Sequence, residues 1–106
     1  MGAYRSVFRK DLFAGQSVVV TGGGSGIGRC TAHELAALGA HVVLVGRKAD
    51  KLQATAAEIA EDGGAATWHT CDIREEEAVK ATIAAIVEDR RQIDGLVNNA
   101  GGQFPA

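Results

Sequence analysis

Between Thr21 and Gly28 the chain reads TGGGSGIG, a run whose residue types suit the capture of a phosphate by backbone. Glycine tolerates positive φ and carries no Cβ, so a glycine-rich bend brings main-chain N–H groups close to an anion. The run follows the apolar Val18, Val19 and Val20 and opens a segment whose apolar residues recur at helical spacing. A helix beginning there adds unpaired N–H groups and the positive end of its dipole. The ligand this predicts is a nucleotide diphosphate.

The mismatches decide which glycine motif is present. A G-x-x-x-x-G-K-[ST] phosphate loop would use Gly23 and Gly28, but Arg29 and Cys30 follow, supplying neither the lysine nor the magnesium-binding hydroxyl. A G-x-G-x-x-G fingerprint started at Gly22 fails at Ile27, where its last glycine should stand. The spacing T-G-x-x-x-G-x-G fits without exception at Thr21, Gly22, Gly26 and Gly28. In this the sequence resembles the short-chain dehydrogenase/reductase family. NNAG, at Asn98 to Gly101, is similar to that family's second signature, and the resemblance covers nearly all of Gln16 to Gly102.

The resemblance implies cofactor contacts from Gly22, Gly24, Ser25, Gly26, Ile27 and Gly28 in the loop, and from Asn99, Ala100 and Gly101 beneath the ribose and ring. It implies that Asp72 accepts from the adenine amino group with the Ile73 backbone beside it, and that Asn98 ties neighbouring strands through its amide. The closing NNAGGQFPA resembles members that reduce trans-2-enoyl thioesters of coenzyme A, whereas the commoner reading is a carbonyl or alcohol oxidoreductase. The family's serine and Tyr-x-x-x-Lys apparatus has no counterpart: the only tyrosine is Tyr4, without a lysine at the required spacing. No catalytic residue is carried over, and this chain alone is expected to be inactive.

Arg47 carries the sharpest chemical inference. An acidic residue roughly 20 positions beyond the glycine turn would bind the ribose 2′-OH of NAD and repel a 2′-phosphate. The residues that follow the second apolar run are instead Gly46, Arg47 and Lys48. A forked guanidinium suits a phosphate dianion. One charge-assisted hydrogen bond, worth about 1.5–3 kcal/mol, favours NADP over NAD by roughly 10- to 150-fold. The expected cofactor is therefore NADP(H).

These residues need elements to position them. Residues 1–15 have no clear period and read as an irregular leader, tacked to the body by Leu12 and Phe13 before Gly15 turns the chain; residues 16–106 read as one dinucleotide-binding unit. Gln16 to Thr21 is apolar without alternation, as suits a parallel strand covered on both faces. A helix from Gly26 to about Leu38 carries Ile27, Thr31, Leu35 and Leu38 on its inner stripe, with Gly39 at its end. A strand over His41 to Val45 leads to a helix with Leu52, Ala56 and Ile59 inward and a stop at Asp62, Gly63 and Gly64. A third strand, Ala65 to Cys71, precedes a helix with Glu75, Glu76 and Glu77 at its start and Val79, Ile83, Ile86 and Val87 on one stripe. The fourth strand is Ile93 to Asn98. Such alternation predicts an α/β fold, a Rossmann-type doubly wound parallel sheet in the order 3-2-1-4 with its ligand at the carboxyl ends. The third crossover reverses direction, leaving one face of the sheet underdressed and the fourth strand with an open edge.

Composition excludes several classes. With 106 residues and 46% hydrophobic content the chain is at most one domain, and a formal charge of −2 offers no general attraction for nucleic acid or an anionic membrane. Two cysteines, Cys30 and Cys71, read as small buried hydrophobes in a reducing compartment. His33, His41 and His69 lack the partners of a zinc site, so no metal is expected. No apolar run reaches membrane-spanning length and no secretion signal opens the chain, so the expectation is a cytoplasmic homo-oligomer with a small-molecule substrate, an acyl-CoA thioester among the options. The chain reads as the amino-terminal part of a longer oxidoreductase; the alternative is a short, non-catalytic dinucleotide-binding module.

Overall fold

In the computed structural model, which describes residues 12–22, 24 and 26–98, four parallel strands lie in the order β3-β2-β1-β4. The chain runs β1 (Ser17–Thr21), α1 (Gly26–Ala37), β2 (His41–Gly46), α2 (Ala49–Glu61), β3 (Ala65–Thr70), α3 (Glu76–Arg90) and β4 (Gly95–Asn98). This is the doubly wound order expected from the alternation of strands and helices, Rossmann-like in its topology.

The two central strands are buried along their length, which is why they read as continuous apolar runs. Val18, Val20, Val42 and Leu44 pack against Ala32 and Ala36 of α1 and Leu52 and Ile59 of α2. Val19, Val43, Val45 and Cys71 pack on the opposite face against Ile86 of α3. The first two crossovers thus cover one face and the third covers the other. Because among the described residues only α3 dresses that second face, Ile83, Val87 and Leu96 remain open, Leu96 at 63%. Of the apolar stripe expected on α3, Ile86 alone is fully buried and Val79 is half-buried.

Three further expectations are corrected. Of the stripe expected on α1, Leu38 is buried and Leu35 packs against the first core cluster, but Ile27 stands 75% exposed, and the buried residues within the helix are Gly28, Ala32 and Ala36. Small residues at i, i+4 and i+8 let the helix approach the sheet closely, and a side chain one position earlier points elsewhere. Cys30 is exposed for the same reason, whereas Cys71 is buried as expected. The fourth strand begins at Gly95, not Ile93, because the chain before it is tied across rather than along the sheet: Ser17 N–H donates to Asp94 Oδ2 at 2.7 Å and Asp94 N–H to the Ser17 carbonyl at 2.8 Å.

The tack expected of Leu12 and Phe13 is made by Phe13. Phe13 packs against the first core cluster and donates its N–H to the Leu38 carbonyl at 2.7 Å, Leu12 is 40% exposed, and Gly15 turns at φ +84°. Residues 1–11 lie outside the described residues.

Candidate functional site

Parallel strands in register bring their carboxyl ends to one rim. Thr21 pairs with Val45 on one side and Asn98 on the other, and Gly46 pairs with Thr70. The bend after β1, Arg47 and Lys48 after β2, and Asp72 and Ile73 after β3 therefore lie side by side. Two backbone bonds lock them: Gly22 N–H donates to the Val45 carbonyl at 2.8 Å and Cys71 N–H to the Gly46 carbonyl at 2.7 Å. Thr21 Oγ1 donates to Asn98 Oδ1 at 3.0 Å, which is the strand tie expected of that amide.

The glycines divide their labour. Gly22 has φ +69° and commits its N–H to β2, so it makes the turn and leaves anion contact to its neighbours. Gly26 has φ +59°, and a Cβ there would meet no heavy atom within 4 Å. It opens α1, whose first N–H groups have no partner within the helix. The space beside Gly26 is open, and the exposed Ile27 follows it. Gly24 answers a packing demand: a Cβ on it would lie 2.9 Å from Lys51 Cβ and 3.3 Å from the Lys51 carbonyl carbon. The glycine turn therefore rests on the first turn of α2. Gly24→Ala is expected to destabilise the fold by about 1–3 kcal/mol, read as a lower urea midpoint, with part of the loss removed in a Lys51→Gly background that lacks the obstructing Cβ.

Glu58 of α2 holds α1 from the other side. Arg29 Nε and its terminal NH2 group reach Glu58 Oε1 at 2.9 and 2.7 Å, and His33 Nε2 lies 3.0 Å from the same oxygen. The hydrogen bond from Arg29 holds the Glu58 carboxyl below its usual range. Arg29 directly follows the glycine turn, so this bond anchors the turn to α2. Nothing in the sequence marks Glu58 for that part, since the pairing spans separate helices.

At the far side of the rim, Arg47 and Lys48 are exposed, as is Ile73 at 37%. Asp72 is engaged by Arg74 three times: Arg74 N–H and Nε donate to Oδ1, each at 3.0 Å, and an NH2 group donates to Oδ2 at 2.9 Å. These bonds, helped by the positive charge of Arg47, hold the Asp72 carboxyl down to about 2. Arg74 is not among the residues singled out from the sequence; the signal that could have found it is the Asp-x-Arg spacing, which an Asx-turn favours. Asp72 does not cap α3, whose N-cap is Glu75, without a side-chain cap bond.

Gly22, Gly24, Gly26, Ile27, Gly28, Arg47, Lys48, Asp72 and Ile73 are thus brought to one edge of the sheet or its first helix. Ser25, Asn99, Ala100 and Gly101 lie outside the described residues. Chemically the rim carries the N–H groups at the start of α1, the exposed guanidinium of Arg47 and a carboxylate held by the guanidinium of Arg74. Among the described residues no cluster of His, Cys, Asp or Glu is placed to hold a metal ion, and no helix is long and apolar enough to cross a membrane.

Residues 16–106 match the family described as short chain dehydrogenase. A glucose 1-dehydrogenase of Gluconobacter oxydans is 44% identical over 98 residues, 92% of this chain and 37% of its own length. Among solved structures, a citronellol catabolism dehydrogenase (AtuB) of Pseudomonas aeruginosa PAO1 superposes with a TM-score of 0.88 at 70% identity, covering 90% of this chain and 40% of that one. A metagenomic short-chain oxidoreductase in complex with NADP gives 0.81 at 43% identity (83% and 40% covered), and an NAD+-bound xylitol dehydrogenase gives 0.77 at 36% (80% and 33%). The chain spans about a third of the length of the curated relatives it matches. A family match over residues 16–106, on a parallel sheet ordered β3-β2-β1-β4, makes this chain a member of the short-chain dehydrogenase family.

Proposed function

We propose that the chain is the cofactor-binding part of an NADP(H)-dependent oxidoreductase acting on a carbonyl or 2-enoyl thioester substrate. When bound, the nicotinamide supplies or accepts the hydride. The residues of this chain bind and orient. The backbone of Gly24, Ser25, Gly26, Ile27 and Gly28 receives the diphosphate at the start of α1, with Gly22 shaping the bend. Arg47 and Lys48 take the 2′-phosphate, Asp72 accepts from the adenine amino group beside Ile73, and Asn99, Ala100 and Gly101 pass beneath the ribose and ring. Open space at Gly26 and an exposed Ile27 support a ligand there. The open Ile83, Val87 and Leu96 support burial of that face by further protein, as in a cytoplasmic homo-oligomer.

One observation carries the choice of NADP: the exposed arginine directly after β2, where an acidic residue would select NAD. Arg47→Asp removes the guanidinium and adds a charge that repels the 2′-phosphate. Calorimetric titration with NADP+ and NAD+ is expected to move the ratio of dissociation constants at least about tenfold toward NAD+. An unchanged ratio rejects the role of Arg47.

A further inference from the structure

The bond from Cys71 N–H to the Gly46 carbonyl at 2.7 Å puts Asp72 and Arg47 on neighbouring strand ends, on the rim where a phosphate dianion would sit. Left alone, the Asp72 carboxylate would draw the guanidinium toward itself and repel the dianion. It is not left alone. Arg74 closes a bidentate fork on both carboxylate oxygens, and its own N–H adds a third bond to Oδ1. The two residues are two apart in sequence on a turn that precedes α3, so the clasp is formed locally and needs no ligand.

We propose that Arg74 determines cofactor specificity without touching the nucleotide, by neutralising Asp72 so that Arg47 stays available to a 2′-phosphate. This rests on the reading of Arg47 given above. The fork matters more than the charge alone, because a bidentate guanidinium occupies both oxygens in a fixed plane, whereas an ammonium would engage them as a point charge. The other charged residues near this end are Lys48, Asp50 and Lys51 on the α2 side and Glu75 beside Arg74. None of them is bonded to Asp72. Arg74 is therefore a positioning residue, acting through Asp72 and Arg47.

The test uses 2′,5′-ADP and 5′-AMP, which differ only in the 2′-phosphate, titrated calorimetrically into the unaltered chain and into variants Arg74→Ala, Arg74→Lys, Asp72→Asn/Arg74→Ala and Arg47→Ala. The clasp is exposed, and exposed pairs contribute little to stability, so these variants fold; thermal melts verify it. Arg74→Ala is expected to weaken 2′,5′-ADP by about tenfold while 5′-AMP changes by less than about threefold. Asp72→Asn in that background, which keeps an acceptor oxygen but removes the charge, is expected to restore 2′,5′-ADP, and Arg74→Lys to fall between. Equal weakening of both ligands by Arg74→Ala, no weakening of either, or failure of the double variant to recover overturns the proposal. If Arg47→Ala abolishes the preference for 2′,5′-ADP and Arg74→Ala leaves it intact, the Arg74 proposal alone falls. If Arg47→Ala leaves the preference intact, both readings fall.

Discussion

Leu44→Ala is expected to destabilise the chain by about 2–5 kcal/mol, a large share of the roughly 5–15 kcal/mol that holds a typical domain together. Leu44 is fully buried in the middle of β2, within the cluster that joins Val18, Val20 and Val42 to both α1 and α2. Truncation removes apolar area from water-free surroundings and leaves a cavity that two helices and a sheet cannot all collapse to fill. The same truncation at Leu96, also a strand leucine, is expected to change stability by less than about 0.5 kcal/mol, because that side chain is 63% open. The pair is measured by urea unfolding, comparing midpoints at unchanged slope. Leu44 also lies two residues before Gly46, whose carbonyl accepts from Cys71 N–H at 2.7 Å. A loosened β2 therefore shifts the platform on which Arg47 is mounted, and weaker nucleotide binding is expected alongside the lower midpoint. Similar losses for the two leucines would mean that the second face of the sheet is covered in solution.

Substitutions at Gly26 should separate backbone strain from ligand exclusion. The residue sits at φ +59° with nothing within 4 Å of a would-be Cβ, so no neighbour resists a side chain and the protein bears only the cost of the left-handed conformation. That cost is about 1–2 kcal/mol for alanine and smaller for asparagine, which visits this region more readily. The stability order Gly, Asn, Ala is thus expected from unfolding midpoints. Affinity for a dinucleotide should follow a different order, with both variants losing at least about tenfold, because any side chain enters the space where the diphosphate approaches the first turn of α1. Calorimetry with NADP+ reads this directly. If Gly26→Asn bound as tightly as the unaltered chain, the open space at Gly26 would not be the phosphate site.

Much of this architecture was legible in the residue order, and particular residues explain why. Val18 to Val20 and Val42 to Val45 lack polar alternation because both faces of those strands are covered, and a run of that kind permits few placements other than the middle of a parallel sheet. The rim could be anticipated because parallel strands joined by short crossovers must all end on the same side. The strand tie that the family resemblance implies for Asn98 is also present, with Thr21 Oγ1 as its partner.

Helix faces were harder to read. Apolarity marked Ile27, Ile83 and Val87 for the interior, yet they are open, while Gly28, Ala32 and Ala36 make the close contact. Small side chains bury little area individually, so they raise no hydrophobic signal, although they set how near α1 can lie to the sheet. Cys30, apolar in type, is likewise exposed.

What the residue order determined on its own was the alternation of strands and helices, the glycine bend and the arginine after β2, because each is a local choice of backbone or charge. Tertiary structure decided the rest. It made Glu58 an anchor for the glycine turn, set Gly24 against Lys51, placed Asp72 within the field of Arg47 while Arg74 holds it, and spent the N–H of Gly22 on Val45. Each of these depends on groups from different elements meeting in space, and hydrogen bonds and Coulomb forces act at a range of a few ångströms whatever the separation along the chain.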